Sequence, residues 1–234
     1  MSFRSSGVRF RPLFEVRTVL NKTRLNNTVS LILNLMNFIL VLISILWFFG
    51  AKGSSAGSGN MRTGGTACFR FFTNDSNILC GLVSLAMIPF NIRSLRLGKP
   101  AVPRAMTVLK FIGTAAVTLT MTVVLVFLGP TQGYGKMFSG VCLELHLICP
   151  LLAIISFCFF ERGNPLARRD TLFALLPTFI YGTVYLILVV FVGRWPDFYG
   201  FNIGGFWPAA YVALHLLALL LAVMIRRLYQ HEKE

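Results

Sequence analysis

The sequence predicts an all-α integral membrane protein, a bundle of six transmembrane helices with the N- and C-termini cytoplasmic. Three observations predict it. The 234 residues are 56% hydrophobic and only 13% charged, about half the charge of a soluble domain, and the mean hydropathy is +0.72. Six apolar stretches lie at about 28–50, 72–92, 105–128, 138–160, 171–193 and 207–227, each near the roughly 20 residues that cross a bilayer core. The basic residues alternate between crowded and sparse connections, 17 on one side of the bundle and 5 on the other, and an excess of Lys and Arg marks the cytoplasmic face.

The segment 1–27 is basic, with Arg4, Arg9, Arg11, Arg17, Lys22 and Arg24. The first apolar run follows too late for a signal peptide, so it reads as a retained first helix. The chain then divides into a basic cytoplasmic segment at 1–27, a six-helix transmembrane domain at 28–228 and a cytoplasmic tail at 229–234. After helix one, Gly53-Ser54-Ser55-Ala56-Gly57-Ser58-Gly59 reads as a flexible turn, and Gly129-Pro130 and Gly163-Asn164-Pro165 read as helix breakers. The second connection carries Arg93, Arg96, Lys99, Arg104 and Lys110, the fourth Arg162, Arg168 and Arg169, and the C-terminus Arg226, Arg227 and Lys233. The sparse side has Lys52, Arg62, Arg70, Lys136 and Arg194. Trp47, Trp195 and Trp207 all fall at that outer side, where interfacial tryptophans belong. Pro150 and Pro177 are expected to kink helices four and five. No internal repeat of the inverted, transporter type is visible.

The net charge of +14 does not indicate nucleic acid. The basic residues lie in short segments between apolar runs, a pattern suited to anionic lipid head groups at the cytoplasmic face. None of the polar segments reaches the roughly 50 residues of a separate domain. The five cysteines give no disulfide framework, although a Cys68–Cys142 bridge stays open. The three histidines lack the spacing of a metal site, and no cofactor is called for. The expected location is the plasma membrane, or the inner membrane of a bacterium, as a multi-pass protein.

The functional signal is Phe71-Phe72-Thr73-Asn74-Asp75-Ser76-Asn77, five polar side chains where helix two enters the membrane. Polar groups at membrane depth mark functional sites. His146 lies inside the fourth apolar segment and His215 inside the sixth. A threonine hydroxyl becomes a nucleophile when a histidine takes its proton, and a helix start offers unpaired N–H groups to an oxyanion. Thr73 and His146 are therefore the candidate catalytic pair, with Asn74, Asn77, Ser76 and His215 as candidate oxyanion or substrate-binding residues. Two alternatives stay open for the nucleophile: Ser76, near Thr73, and Cys142, four residues before His146. Asp75 and Glu144 read as interface ion pairs with Arg70, Lys136 or Arg194, or one of them orients the imidazole. Asn34 and Asn37 read as packing contacts. The whole cluster also has a structural reading, as helix caps and interhelical hydrogen bonds. On segment boundaries alone, Thr73 should lie several ångströms shallower than His146 and His215 unless the outer mouth is recessed.

The strings Phe72-Thr73-Asn74-Asp75-Ser76-Asn77-Ile78-Leu79 and Leu145-His146-Leu147-Ile148-Cys149-Pro150 resemble the androgen-induced family of multi-pass membrane proteins and its bacterial six-helix relatives. Those relatives carry F-T-x-x-S-N-[IL]-L at helix two and H-x-x-x-P at helix four. The aromatic-proline pairs Trp195-Pro196 and Trp207-Pro208 near the last outer loop are also similar. Asp75 departs from the family pattern, in which that position is commonly neutral. The resemblance implies an intramembrane threonine hydrolase of fatty acid esters of hydroxy fatty acids. By position, Thr73 would be its nucleophile and His146 its partner. The expectation is hydrolysis of a membrane lipid ester; the alternative is a non-catalytic lipid-binding or small-molecule transport protein.

Overall fold

The computed structural model describes residues 13–50, 64–161 and 163–231, with side chains from residue 21 onward. The arginines before residue 13, Lys52, the glycine-serine turn at 53–59, Arg62, Arg162 and the tail at 232–234 lie outside the described residues. Among the described residues, six helices are long and apolar enough to cross a membrane, and there is no strand. They are α1 (Leu13–Gly50), α2 (Phe72–Leu97), α3 (Arg104–Gln132), α4 (Val141–Phe160), α5 (Asp170–Phe191) and α6 (Trp207–His231).

Three boundaries differ from the sequence reading. Helix α1 reaches back to Leu13, into the basic segment, and α6 runs on to His231. Helix α3 does not stop at Gly129-Pro130. A proline lacks the N–H for the carbonyl four residues back and its ring crowds that carbonyl. Instead of breaking, the helix widens to π geometry over Val124–Leu128 and resumes through Gln132. Gly133, at a φ of +94°, ends it. Helix α4 shows the same response ahead of Pro150, with a π segment over Glu144–Ile148. In α5 a turn at 174–175 precedes Pro177.

The two ends of the bundle are tied differently. At one end, Arg104 donates to both carboxylate oxygens of Asp170, at 3.0 and 2.7 Å, joining the starts of α3 and α5. The Tyr229 hydroxyl of α6 donates to the Asn164 carbonyl at 3.1 Å on the same side. At the other end, a short 3-10 helix (Gly65–Arg70) and the loop at 192–206 lie over the start of α2. Helices α1, α2 and α3 approach closely where side chains are small. A Cβ on Gly113 would stand 3.2 Å from the Cys80 backbone, and one on Gly81 3.0 Å from Val41.

A buried polar network fills the Arg104–Asp170 half of the bundle. Lys110 sits inside α3 and is 1% exposed, rather than being a connection cation. Its ammonium donates to Asn34 Oδ1 at 2.5 Å and to Ser84 Oγ at 2.8 Å. The Asn34 amide donates onward to Glu161 Oε1 at 2.7 Å, so one asparagine bridges a cation and a carboxylate that do not touch. Asn37 donates to Ser84 at 3.0 Å, and Asn91 donates to Ser30 at 2.8 Å. Asn34 and Asn37 thus serve the network and not packing alone. A charge without water needs such partners. Lys110→Met strands Glu161 without its counter-charge and should cost about 3 kcal/mol. Combining it with Glu161→Gln should cost less than the single change. Unfolding in detergent micelles measures both.

Candidate functional site

Thr73 stands in the first turn of α2, behind the extended residue Phe71, which supplies no side-chain cap. Other parts of the chain hold this start. The Phe72 N–H donates to the Tyr199 hydroxyl at 2.9 Å, the Asn74 amide donates to the Cys68 carbonyl at 2.7 Å, and the Tyr181 hydroxyl donates to the Arg70 carbonyl at 2.6 Å. Phe71 packs on Phe198 and Phe72 on Tyr181, with ring centroids 4.8 and 5.1 Å apart. Tyr199 comes from the loop over the mouth. Burial pushes its phenol up to about 12, against the pull of its hydrogen bonds with Tyr181 and the Phe72 N–H. It therefore stays protonated at neutral pH. No sequence pattern singles out one loop tyrosine.

His146 faces this start. Its Nδ1 is 2.7 Å from the Met137 carbonyl and its Nε2 is 3.4 Å from Thr73 Oγ1. A carbonyl only accepts, so Nδ1 carries the proton and the neutral ring turns its Nε2 lone pair to the Thr73 hydroxyl. Met137 ends a single helical turn (Tyr134–Met137), which leaves its carbonyl without a helical donor. The imidazole is thus oriented by a backbone oxygen, not by Asp75 or Glu144. Among the described residues the one ion pair is Arg104–Asp170, so the expected pairs of Asp75 and Glu144 with Arg70, Lys136 or Arg194 are not formed. Glu144 instead accepts from Ser44 Oγ at 2.5 Å. The expected difference in depth is absent. Helix α4 begins at Val141, so His146 is little more than a turn in, and the 3-10 helix and the loop at 192–206 recess the mouth above α2.

The other candidates have different employment. Asn77 Nδ2 donates to the Thr73 carbonyl at 2.7 Å and the Leu145 carbonyl at 3.0 Å, clamping α2 to α4 beside the pair. Both of its N–H groups are engaged, so it has none for an oxyanion. Asn74 places one N–H on the Cys68 carbonyl. Ser76 donates to the Thr73 carbonyl at 3.1 Å, with Thr120 Oγ1 2.9 Å away, and is 2% exposed. Cys142 makes no hydrogen bond to His146 among the described residues, and no disulfide joins it to Cys68. Burial, aided by the Asp75 charge, pushes the Cys68 thiol up, the opposite of an activated cysteine.

A pocket lies between α2, α3, α5 and α6, partly open at its mouth, with about 810 Å³ of empty space when the part open to solvent is included. Thr73 lines it together with Phe72, Tyr181, Tyr199 and, from α6, Tyr211 and His215. His146 is not in its wall, so the imidazole meets the cavity only through the threonine hydroxyl. His215 Nδ1 lies 2.7 Å from the Tyr211 carbonyl, well apart from the Thr73–His146 contact in the chain but on the same cavity.

Comparison with protein-family models, with curated proteins and with solved structures finds no match. The site is therefore read from its own geometry. Tyr199→Phe leaves the Phe72 N–H unpaired at the start of α2 and should lower stability by about 1–2 kcal/mol, measured by unfolding in detergent micelles.

Proposed function

We propose that the protein is an intramembrane hydrolase of a lipid ester, with Thr73 as nucleophile and His146 as base. The observation that carries this reading is one contact: a hydroxyl on the cavity wall, 3.4 Å from an imidazole nitrogen whose tautomer is set by the Met137 carbonyl. The arrangement has the parts of a nucleophile–base–orienting group chain. The resemblance of the two motifs to those of the androgen-induced family supports the same residues. The excess of Lys and Arg supports an orientation with both termini cytoplasmic, in the plasma or inner membrane, and anionic head groups at that face. Removing Lys110 from the count leaves the asymmetry intact. In that orientation the ester enters laterally from the outer leaflet.

Thr73 passes its proton to His146 Nε2 as Oγ1 attacks the ester carbonyl. The imidazolium keeps its Nδ1–H on the Met137 carbonyl. The oxyanion that forms needs donors other than Asn77, both of whose N–H groups lie on carbonyls. Collapse breaks the ester C–O bond, and the leaving alkoxide takes the proton from Nε2. Water, deprotonated by the same nitrogen, then attacks the acyl-threonine and returns the proton to Oγ1. A cavity with apolar walls suits the acyl chain. A non-catalytic lipid-binding protein would use the same cavity, but it has no need of a base with a fixed tautomer.

A fluorophosphonate probe should label the wild-type protein in membranes. Thr73→Ala and His146→Ala should each reduce labelling at least about a hundredfold while the protein still elutes as a folded species. Undiminished labelling of both variants refutes the assignment, and loss only with Ser76→Ala or Cys142→Ala moves the nucleophile.

A further inference from the structure

The cavity wall carries its own chemical signature away from Thr73. Among the described residues it includes no lysine, arginine, aspartate or glutamate. Two buried polar atoms of its lining residues lack a protein partner: His215 Nε2 and Asn202 Oδ1. Both are acceptors. The Asn202 atom is a carbonyl oxygen. The His215 ring has its Nδ1 proton on the Tyr211 carbonyl, which leaves Nε2 as a lone pair. The ring cannot easily turn to hide it. Tyr211 lies against one side with centroids 4.2 Å apart, and Phe179 meets it edge-on at 5.9 Å.

These atoms sort possible ligands. An ionised carboxylate or phosphate inside the cavity would meet no cation to offset its desolvation. A plain hydrocarbon would leave both acceptors unpaired in an apolar setting. A hydroxyl group satisfies them. We infer that the cavity takes a neutral lipid carrying free hydroxyl groups, with His215 Nε2 accepting from one of them. This deepens the hydrolase reading and rests on it for the ester bond alone. The substrate is then an ester of a polyol or other hydroxylated alcohol, with its hydroxyl against α6 and its carbonyl at the start of α2. His215 is a specificity residue, not a catalytic one.

The test uses probes without an ester bond, so it is independent of turnover. The reconstituted full-length protein is titrated with 1-O-hexadecylglycerol, with its 2,3-di-O-methyl ether, and with palmitate. The free diol should bind about five- to tenfold more tightly than the capped ether. That preference should vanish in His215→Leu and His215→Phe and persist in His215→Gln, which keeps an acceptor. Equal binding of diol and capped ether by the wild type overturns the inference, as does a preference that survives in both apolar variants, or tightest binding of palmitate. A failure of Thr73 labelling refutes the hydrolase assignment and leaves the diol preference standing; the converse failure leaves the assignment standing.

Discussion

A polar side chain inside a bilayer has no water to return to, so every donor and acceptor must find a partner in the protein. That constraint shapes this bundle more than any apolar contact. Its polar residues gather into two clusters near opposite ends. The cluster around Lys110, Asn34 and Glu161 binds four helices together, with Glu161 Oε2 and Asn37 Oδ1 left over. The cluster around Thr73 ends on a cavity. The first joins helices. The second, ending in a hydroxyl beside a base, is the kind that chemistry can use.

Local backbone choices place that second cluster. Pro150 cannot supply an N–H to the carbonyl of His146, and α4 widens over Glu144–Ile148 around it. The single turn Tyr134–Met137 stops short and leaves a carbonyl to hold Nδ1. On α2, Tyr199 supplies from a distant loop the cap that Phe71 lacks. Asn77 then fixes α2 against α4 through two carbonyls. Each of these contacts restrains the distance between Thr73 and His146 without touching the hydroxyl itself.

The six spans are legible in the sequence because a bilayer demands apolar runs of about 20 residues. The proximity of Thr73 and His146 is legible for a related reason: few polar residues occur at that depth, so they have few partners to choose from. The rest depends on tertiary contacts with no sequence period. Lys110 looks like a connection cation until α3 is seen to bury it. Asn77 looks like an oxyanion donor until both of its N–H groups are found on carbonyls. Asp75 and Glu144 suggest ion pairs, but nearby basic residues in sequence are not neighbours in space. Pro130 reads as a stop, whereas the helix absorbs it by widening.

As the proposed nucleophile, Thr73 must accept an acyl group on its oxygen during ester cleavage. The direct measurement is peptide mass analysis of protein quenched in acid during turnover of a long-chain monoacylglycerol. The expected result is an acyl adduct on the peptide containing Thr73, localised to that residue and missing in His146→Ala. An adduct localised to Ser76 or Cys142, or steady turnover by Thr73→Ala, would contradict it.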